Sequence, residues 1–299
     1  MESTQSKIEK SVTIFKDLIA KGGPQKTDYP LLDATINALG VQLKNGEITK
    51  EDLAEIHQLY DEEFMQHTMQ GHALKKPYGY PGDFMMIDMA YSHSTYPKYQ
   101  LWEAYTHNQA VVQAVRNRKD YFVKTLLPKC KASTHFSLLN IASGPARDLL
   151  ELYQQIENSH LKTICVEHDP RAIKYASKLT EPFKESIEYR KANVFKYESD
   201  QQFDVIWSAG LFDYFDDATF INTLKKMLSW TKDHYEIIIG NLKSNSSDHY
   251  LEIMTDWHLY YREESDLIRI AKEAGVSESQ IFIGKEVSGV NLFLHIKNI

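Results

Sequence analysis

The spacing of apolar residues divides the chain into a helical first part and a second part in which strands and helices alternate. In the first part, residues such as Ile8, Val12 and Phe15 recur at helical spacing, which predicts amphipathic helices. From about His135 onward, short apolar runs alternate with helical patterns; the runs are FSLLNIAS (136–143), KTICVEHD (162–169), IEYRKANVF (187–195), FDVIWSAG (203–210) and YEIIIGNL (235–242). This alternation predicts an α/β fold with a doubly wound, mostly parallel sheet. The last run, IFIGKEVSGVNLFLHI (281–296), predicts a closing antiparallel pair of strands.

Glycine and proline mark the boundaries in the helical part. Gly22-Gly23-Pro24 ends the first predicted helix, and a long helical stretch after Pro97 is predicted to end at about Pro128. We therefore predict an N-terminal helical domain over residues 1–130 and an α/β domain over residues 131–299.

A dense turn, KPYGYPGDF (76–84), lies inside the helical part. It holds two prolines, two glycines and two tyrosines, a density that neither helix nor strand tolerates. Apolar residues follow at once from Phe84, so the turn is predicted to stand in front of a helix that is tied to a core.

Composition and charge exclude several classes of protein. The chain has 299 residues, 42% of them apolar, and a formal net charge of -7, which gives no electrostatic footprint for nucleic acid. Its two cysteines favour a reducing compartment over a disulfide framework. The N-terminus is too polar for a signal peptide and no apolar run reaches the roughly 18 residues of a membrane span, so we expect a cytoplasmic protein. His67 and His72 lack the arrangement of a zinc-binding helix, and we expect no metal site.

The loop after the first predicted strand carries small residues at alternate positions, Ala142, Gly144 and Ala146. Nucleotide-type loops place glycines in this way because the backbone must turn tightly and approach the ligand closely. Since only one of the three is glycine, the loop by itself fits an ordinary strand–helix turn equally well.

The second predicted strand ends in acidic residues, and these strengthen the prediction of a nucleotide-binding site. Glu167 lies about twenty residues after the loop, where a carboxylate accepts hydrogen bonds from ribose hydroxyls. Asp169 is a second choice, because it is also placed to cap the helix that Pro170 opens. After the third strand, ANVF (192–195) offers an amide and an apolar wall for a purine ring.

The order of these features resembles class I S-adenosylmethionine-dependent methyltransferases over roughly residues 130–299. The resemblance implies a Rossmann-like, seven-stranded methyltransferase sheet, S-adenosyl-L-methionine as cofactor and S-adenosyl-L-homocysteine as product. The chain departs from that family in having less glycine in the loop.

A narrower resemblance is to the bacterial methyltransferases of 3-hydroxypalmitic acid methyl ester (extracellular factor) biosynthesis. The segments that carry it are KPYGYPGDFMMIDMAY (76–91), AVRNRKDYF (114–122), NIASGPARDL (140–149), VEHDPRAIKYA (166–176) and DWHLYYREESDL (256–267). It implies that a hydroxy fatty acid is esterified to give a quorum-sensing signal.

These resemblances suggest a role for the turn, since residues 76–91 would form a lid over the sheet. The faces of Tyr78 and Tyr80 would wall the sulfonium, and Asp83 would contact the methionine amino group or cap the next helix. The alternative is a rigid interdomain turn with core aromatics.

Arg116 and Arg118 lie two apart and do not share a helix face, so at most one enters the site, and Arg116 is our choice for the cofactor carboxylate. The predicted cofactor contacts are Tyr78, Tyr80, Asp83, Arg116, Ala142, Gly144, Pro145, Arg147, Glu167, His168, Asp169, Asn193, Val194, Gly210 and Leu211.

The predicted substrate contacts follow the fourth and fifth strands, with one in the lid; they are Phe84, Phe212, Asp213, Tyr214, His249, Tyr260, Tyr261 and Arg262. No residue is assigned an acid–base role, and Tyr214, Tyr261 and Arg262 are expected to position the acceptor. For Arg262 the alternative is a structural role, in which it opens a helix and binds nearby acids.

A carboxylate acceptor needs no general base, and the sequence shows no compelling His–Asp pair, which favours a carboxylate over a hydroxyl. The alternatives are O- or N-methylation of another small metabolite, and a non-catalytic cofactor sensor with a protein partner. Methylation of nucleic acid ranks third because the net charge is acidic.

Overall fold

The computed structural model describes residues 4–156 and 160–298, and the chain divides into two compact units. The first unit comprises Met1–Gln113 and Asn245–His258, and the second comprises Ala114–Ser244 and Leu259–Ile299. This division differs from the predicted domains in two ways. It falls at 113/114 instead of 130/131, and the later segment 245–258 returns to the first unit.

The first unit is helical. Its helices are α1 (Thr4–Ala20), α2 (Tyr29–Lys44), α3 (Lys50–His57), α4 (Glu62–His67), α5 (Met69–Lys75), α6 (Phe84–Ser92) and α7 (Gln100–Asn108), and the returning segment adds a single π-helical turn, Tyr250–Met254. The end of α1 confirms the predicted stop, because Gly22 follows with φ of +82°. Aromatic residues fill the core, where the rings of Tyr60 and Phe64 stack with centroids 4.3 Å apart.

The turn 76–84 forms neither helix nor strand up to Asp83, as its prolines and glycines predict. It begins at Lys76, which ends α5 in a left-handed conformation, and Gly79 has φ of +100°. Asp83 ends the turn by accepting hydrogen bonds from the backbone N–H groups of Met85 and Met86 at the start of α6.

The second unit is an α/β sheet with helices on both faces, preceded by α8 (Ala110–Ala132), whose first residues belong to the first unit. Its further elements are β1 (Phe136–Ile141), α9 (Arg147–Gln154), β2 (Leu161–Glu167), α10 (Pro170–Leu179), β3 (Ile187–Lys191), β4 (Phe203–Ser208), α11 (Asp217–Leu228), β5 (Thr231–Leu242), α12 (Glu264–Glu273), β6 (Ile281–Lys285) and β7 (Asn291–Asn298). The strand order is β3-β2-β1-β4-β5-β7-β6, with β7 antiparallel to both neighbours and the remaining pairs parallel. The predicted α/β fold, with seven strands and a closing antiparallel pair, is confirmed.

The helix predicted after Pro97 is wrong in its extent. The chain is extended at Gln109, between α7 and α8, and α8 continues through Pro128 to Ala132. A proline removes one helical hydrogen bond. Here that loss falls in the last turns of a helix whose Leu126 and Cys130 are buried, so packing holds the helix past the proline.

Each face of the sheet buries one row of apolar residues under its own helices. Ile206 of β4 packs in a cluster with Leu224 of α11 and Leu267 of α12, whereas Trp207 packs on the other face with Phe122 of α8 and Leu149 of α9. Burying each such side chain contributes about 1.5–3 kcal/mol. The strand order reverses between β1 and β4, and ligands of such sheets bind beyond the carboxyl ends of the strands at that point.

Candidate active site

A cavity lies at the carboxyl ends of the parallel strands in the second unit. Its lining residues are Ile141, Ala142, Val166, His168, Ala192, Asn193, Val194, Phe195, Leu211 and Phe215. Ala142, His168, Asn193, Val194 and Leu211 are predicted cofactor contacts, and the structure brings these five together although they follow four different strands. Their contact with a cofactor stays a prediction.

Glu167 connects the end of β2 to the loop after β1. Its Oε2 accepts a hydrogen bond from the Gly144 N–H at 3.1 Å. Its Oε1 accepts from the N–H groups of His168 at 2.8 Å and Asp169 at 3.0 Å. The side chain is only 4% exposed, so these bonds fix the carboxylate next to the loop.

The surroundings of Glu167 keep it ionised. Burial alone would raise the pKa of this carboxyl, but hydrogen bonds from the His168 side chain and from the Asp169 and Gly144 N–H groups outweigh it and lower the pKa. The contact with Glu167 in turn raises the pKa of His168. An ionised carboxylate only accepts hydrogen bonds, which suits the paired hydroxyls of a ribose.

The loop after β1 adopts the backbone shape that its small residues predict. Ala142, Gly144 and Ala146 have φ of +53°, +54° and +54°. The left-handed conformation costs alanine about 1–2 kcal/mol, so two of these three positions are strained. Small side chains at these positions leave the loop backbone open toward a ligand.

Asp169 takes the helix-capping role that competed with its ribose role. Its Oδ1 accepts from the Arg171 N–H at 2.8 Å, and its carboxylate also pairs with the Arg171 guanidinium. The arginine lowers the pKa of Asp169 despite burial. These bonds favour Glu167 for the ribose, and the cofactor contact of Asp169 stays a prediction.

Arg118, which the predicted site omits, is the more buried arginine of α8. Its side chain is 6% exposed, and its Nη1 lies 3.5 Å from the carbonyl oxygen of Ala209, just after β4. A Cβ built on Gly210 would lie 2.9 Å from Arg118 Nη1. Arg116, the predicted contact, is half-buried, and burial lowers its pKa.

The spacing of the apolar residues along α8 indicates that Arg118 lies on the buried face of this helix. Val111, Val115 and Phe122 are buried, and Arg118 completes a row with spacings of four, three and four residues. Residues in such a row share one face of a helix, and this face packs on the core.

Asp213 and Asp148 are buried carboxylates in the same unit. Asp213 Oδ1 accepts from the Leu242 N–H at 2.7 Å, and burial raises the pKa of Asp213 to about 6. Asp148 Oδ1 accepts from the Leu149 N–H at 2.8 Å, and burial raises its pKa to about 6 as well. The positive charge of Arg118 opposes both shifts.

Arg262 makes the structural contacts that were the alternative to a substrate role. It is 3% exposed, and its guanidinium donates to the Phe212 and Phe215 carbonyl oxygens, to Asn241 Oδ1 and to Asp217. Phe212, Phe215 and Asp217 follow β4, and Asn241 is the last residue but one of β5. The geometry therefore favours a structural role, and a substrate contact of Arg262 stays a prediction.

The other predicted residues of the second unit differ in exposure. Phe212 is fully buried against Phe220, with ring centroids 4.5 Å apart, which favours a core role. Tyr260 is 53% exposed, and Tyr214 and Tyr261 are half-buried. Pro145, Arg147 and Gly210 lie in or directly after the loops that follow β1 and β4.

The predicted contacts in the first unit include the lid residues and His249. Asp83 is fully buried, and besides capping α6 it accepts from His72 Nε2 at 2.8 Å, which favours its capping role. Tyr78 packs on Phe84 with ring centroids 4.7 Å apart. His249 packs closely on Gly40, and a Cβ built on Gly40 would overlap the imidazole ring of His249. The cofactor and substrate contacts of these residues, and of Tyr80, stay predictions.

Two buried polar atoms near the loop fit the presence of a polar ligand. Asn140 Nδ2 on β1 and Ser208 Oγ on β4 find no hydrogen-bond partner among residues 4–156 and 160–298. Buried polar groups are normally paired, and each unpaired one costs about 1–3 kcal/mol. A ligand or water beside these strands would supply the partners.

In the part of the chain that the structure describes, no cluster of three His, Cys, Asp or Glu side chains could hold a metal ion. Within the same part, no helix is both long and apolar enough to cross a membrane.

Comparison with protein families gives one match. The profile described as "Methyltransferase domain" matches residues 138–234, which include every residue that lines the cavity, as well as Glu167. No curated protein matches the chain.

Solved structures share the fold at low sequence identity. A protein from Bordetella parapertussis, described as a possible exported protein, has a TM-score of 0.62 and 12% identity, covering 99% of this chain and 97% of its own. The S-adenosylmethionine-dependent methyltransferase SibL in its apo form has a TM-score of 0.52 and 12% identity, covering 87% of this chain and 77% of its own. Magnesium protoporphyrin IX methyltransferase from Synechocystis PCC 6803, with bound S-adenosylhomocysteine, has a TM-score of 0.50 and 11% identity, covering 72% of this chain and 98% of its own. The methyltransferase domain model thus matches residues 138–234 of the second unit, and these solved structures share its fold.

Proposed function

We propose that the protein transfers a methyl group from S-adenosyl-L-methionine to a small molecule, the preferred acceptor being the carboxylate of a 3-hydroxy fatty acid. The observation that carries the methyl-transfer proposal is the ionised carboxylate of Glu167, held between the loop after β1 and a cavity at the carboxyl ends of the strands. The family match over residues 138–234 supports it.

Each part of the site has a proposed task in holding the cofactor. Glu167 accepts hydrogen bonds from the ribose hydroxyls, and the backbone around Gly144 leaves room for close approach. Asn193 and Val194 provide an amide and an apolar wall for adenine. Bound in this way, the cofactor supplies a methyl group already activated by the positive charge on sulfur.

The remaining work of the protein is alignment and the exclusion of water. Methyl transfer is an in-line displacement, so holding donor and acceptor at the right distance lowers the barrier most. A carboxylate arrives ionised and needs no proton removed. His168 is the one histidine that lines the cavity, and it is bonded to Glu167, which supports an acceptor of this kind.

The choice of a fatty acid comes from the sequence resemblance of residues 76–91, 114–122 and 256–267 to methyl ester-forming enzymes. O- or N-methylation of another metabolite, or a sensor that binds cofactor without turnover, would use the same cavity. A cytoplasmic location stays a prediction.

Transfer of a labelled methyl group tests the proposal. The protein is incubated with S-adenosyl-L-methionine labelled at the methyl and with 3-hydroxy fatty acids of several chain lengths, and products are read by mass spectrometry. The proposal predicts label in a methyl ester, and several-fold less of it with Glu167→Ala at a cofactor concentration near the wild-type dissociation constant. No ester, with cofactor bound in the same sample, would exclude the fatty acid and direct the search to other metabolites or to a sensor.

A further inference from the structure

Another cavity of the second unit lies at the opposite end of the sheet from the candidate active site, at the amino ends of β1 and β4. Its volume is about 330 Å³, which is within the range of small-molecule binding sites. Five elements contribute to its lining, with Lys129 from α8, Phe136 from β1, Val205 from β4, Glu236 from β5 and Lys297 from β7. No residue that lines it is a predicted cofactor or substrate contact, so the two cavities are separate.

An irregular stretch of β5 contributes to this cavity. β4 advances two residues, from Phe203 to Val205, while its partner β5 advances five, from Thr231 to Glu236. The segment 234–235 lies within this bulge and lines the cavity. Bulges change the direction of side chains and are common beside functional sites, so the irregularity supports a binding role for the cavity.

Glu236 is a buried carboxylate of the cavity with three basic side chains around it. It is 4% exposed. Its Oε2 lies 2.7 Å from Lys129 Nζ, and its Oε1 lies 3.2 Å from Lys297 Nζ and 2.5 Å from His295 Nδ1. Burial alone would raise the pKa of Glu236, but the contacts with His295 and Lys129 outweigh it and lower the pKa to about 2. The ionised carboxylate therefore holds both ammonium groups at the cavity.

The contact between Lys129 and Glu236 leaves hydrogen-bonding capacity unused. Among residues 4–156 and 160–298, Glu236 Oε2 has no hydrogen-bond partner, although Lys129 Nζ is within ion-pair distance. The ammonium of Lys129 thus approaches at an angle that makes an ion pair without a hydrogen bond. Its N–H donors remain available for another acceptor.

The two lysines carry more positive charge than Glu236 balances. Asp204, which also lines the cavity, does not offset them because its Oδ2 is paired with Lys232 Nζ at 2.6 Å. Lys129 and Lys297 therefore leave one positive charge in excess, on a chain whose formal net charge is -7. Their side chains are 36% and 28% exposed, so both ammonium groups are accessible to a ligand.

These features match a small organic carboxylate. One negative charge offsets the excess, and ammonium groups donate strong, charge-assisted hydrogen bonds to carboxylate oxygens. The hydroxyl of Ser133 and the ring of His234 also line the cavity and can add hydrogen bonds. Phe136 and Val205 are buried apolar residues of the same lining, where they would contact a hydrocarbon part of the ligand.

We propose that this cavity binds a small organic carboxylate, with the charged group on Lys129 and Lys297 and the apolar part against Phe136 and Val205. Glu236 is a positioning residue of the site, because it holds a lysine from α8 and a lysine from β7 at one place. The inference does not depend on the proposed function, since the site shares no residue with the cavity at the carboxyl ends of the strands.

Titration of the full chain with butyrate and with benzoate tests the site. Binding is followed by nuclear magnetic resonance on isotope-labelled protein, in which the amide signals of Ser133 and Tyr235 report on this cavity and those of His168 and Asn193 report on the other. We expect shifts in the first pair, with dissociation constants in the roughly millimolar range. Saturation with S-adenosylhomocysteine should leave these shifts unchanged.

Substitution of one lysine should weaken binding without unpairing the buried carboxylate. In Lys297→Met, Lys129 and His295 still contact Glu236. We expect this variant to bind both carboxylates at least about tenfold more weakly, as for loss of a hydrogen bond to a charged group. Lys129→Met should show a similar loss, and it serves if the first variant does not fold. Lys131→Met, at an exposed position of the same helix outside the cavity lining, is the matched control.

Three outcomes would overturn the inference. The first is the absence of any shift at Ser133 and Tyr235 with either carboxylate. The second is wild-type affinity in both lysine variants, which would place the bound carboxylate elsewhere. Inorganic phosphate, titrated in parallel, is expected to bind more weakly than butyrate because it has no apolar part. Phosphate that binds as tightly as butyrate, or more tightly, would contradict the assignment to an organic carboxylate.

Discussion

The buried carboxylate of Glu167 accepts a hydrogen bond from the backbone N–H of Gly144 at 3.1 Å, which joins the end of β2 to the loop after β1. The same carboxylate accepts from two further N–H groups at the start of the next loop. One side chain thus fixes the two loops between which a nucleoside would bind.

Removal of this carboxylate should weaken cofactor binding. We expect Glu167→Ala to raise the dissociation constant of S-adenosylhomocysteine at least tenfold, because the ribose hydroxyls lose a charged acceptor, worth about 1.5–3 kcal/mol. Calorimetry measures the change. Glu185→Ala, at an exposed position, should bind as the wild type does. An unchanged dissociation constant in Glu167→Ala would remove this residue from the ribose role.

Gly210→Ala is expected to weaken binding of S-adenosylhomocysteine while leaving the stability of the fold nearly unchanged. The new Cβ would lie 2.9 Å from Arg118 Nη1, the far end of a flexible side chain, so the guanidinium gives way at low cost. We expect the free energy of unfolding in urea to change by less than about 1 kcal/mol, while S-adenosylhomocysteine binds roughly tenfold more weakly because Gly210 is a predicted cofactor contact. Wild-type affinity in this variant would remove Gly210 from the predicted cofactor contacts.

Asp213 should contribute a pH dependence of stability with a defined sign. Burial raises its folded-state pKa to about 6, above its ordinary value of 3.8. Its stabilising contribution is therefore present below pH 3.8 and is lost as the pH rises through about 6. Asp213→Asn keeps an oxygen for the Leu242 N–H but does not titrate. Urea unfolding at several pH values should show wild type losing stability relative to Asp213→Asn between about pH 4 and pH 6. A constant difference across that range would contradict the raised pKa.

Arg262 should matter for stability far more than its neighbour Arg269, although both bond to Asp217. Arg262 is 3% exposed and donates to two carbonyl oxygens and one amide oxygen, which its loss would leave buried and unpaired. We expect Arg262→Ala to lower the free energy of unfolding by about 3–5 kcal/mol, because each buried acceptor left unpaired costs about 1–3 kcal/mol. Arg269→Ala breaks an exposed pair and should cost about 1 kcal/mol or less. Similar small losses in both variants would indicate that Arg262 is not the structural contact described.

Much of the fold follows from sequence pattern alone. The strands are short apolar runs with clear ends, so their type and order are local properties, and all seven were predicted. The extent of α8, in contrast, cannot be predicted from the local sequence. Pro128 signals a helix end, but the helix continues because packing of Leu126 and Cys130 outweighs the lost hydrogen bond.

The grouping of candidate residues at one edge of the sheet was predictable where they directly follow strands. Glu167 and Asn193 come at strand ends, and parallel strands bring such ends to one edge of the sheet. Phe215, which also lines the cavity, lies farther along the chain, and only the folded path of the loop after β4 places it there. Which of Arg116 and Arg118 is the more buried depends on which face of α8 packs on the core, and the structural role of Arg262 depends on backbone carbonyl oxygens distant in sequence.

A crystal structure of the protein with S-adenosylhomocysteine tests the central claim most directly. The account predicts adenine in the cavity beside Asn193 and Val194, with both ribose hydroxyls within hydrogen-bond distance of Glu167. Ligand bound elsewhere, or a ribose that makes no contact with Glu167, would contradict it.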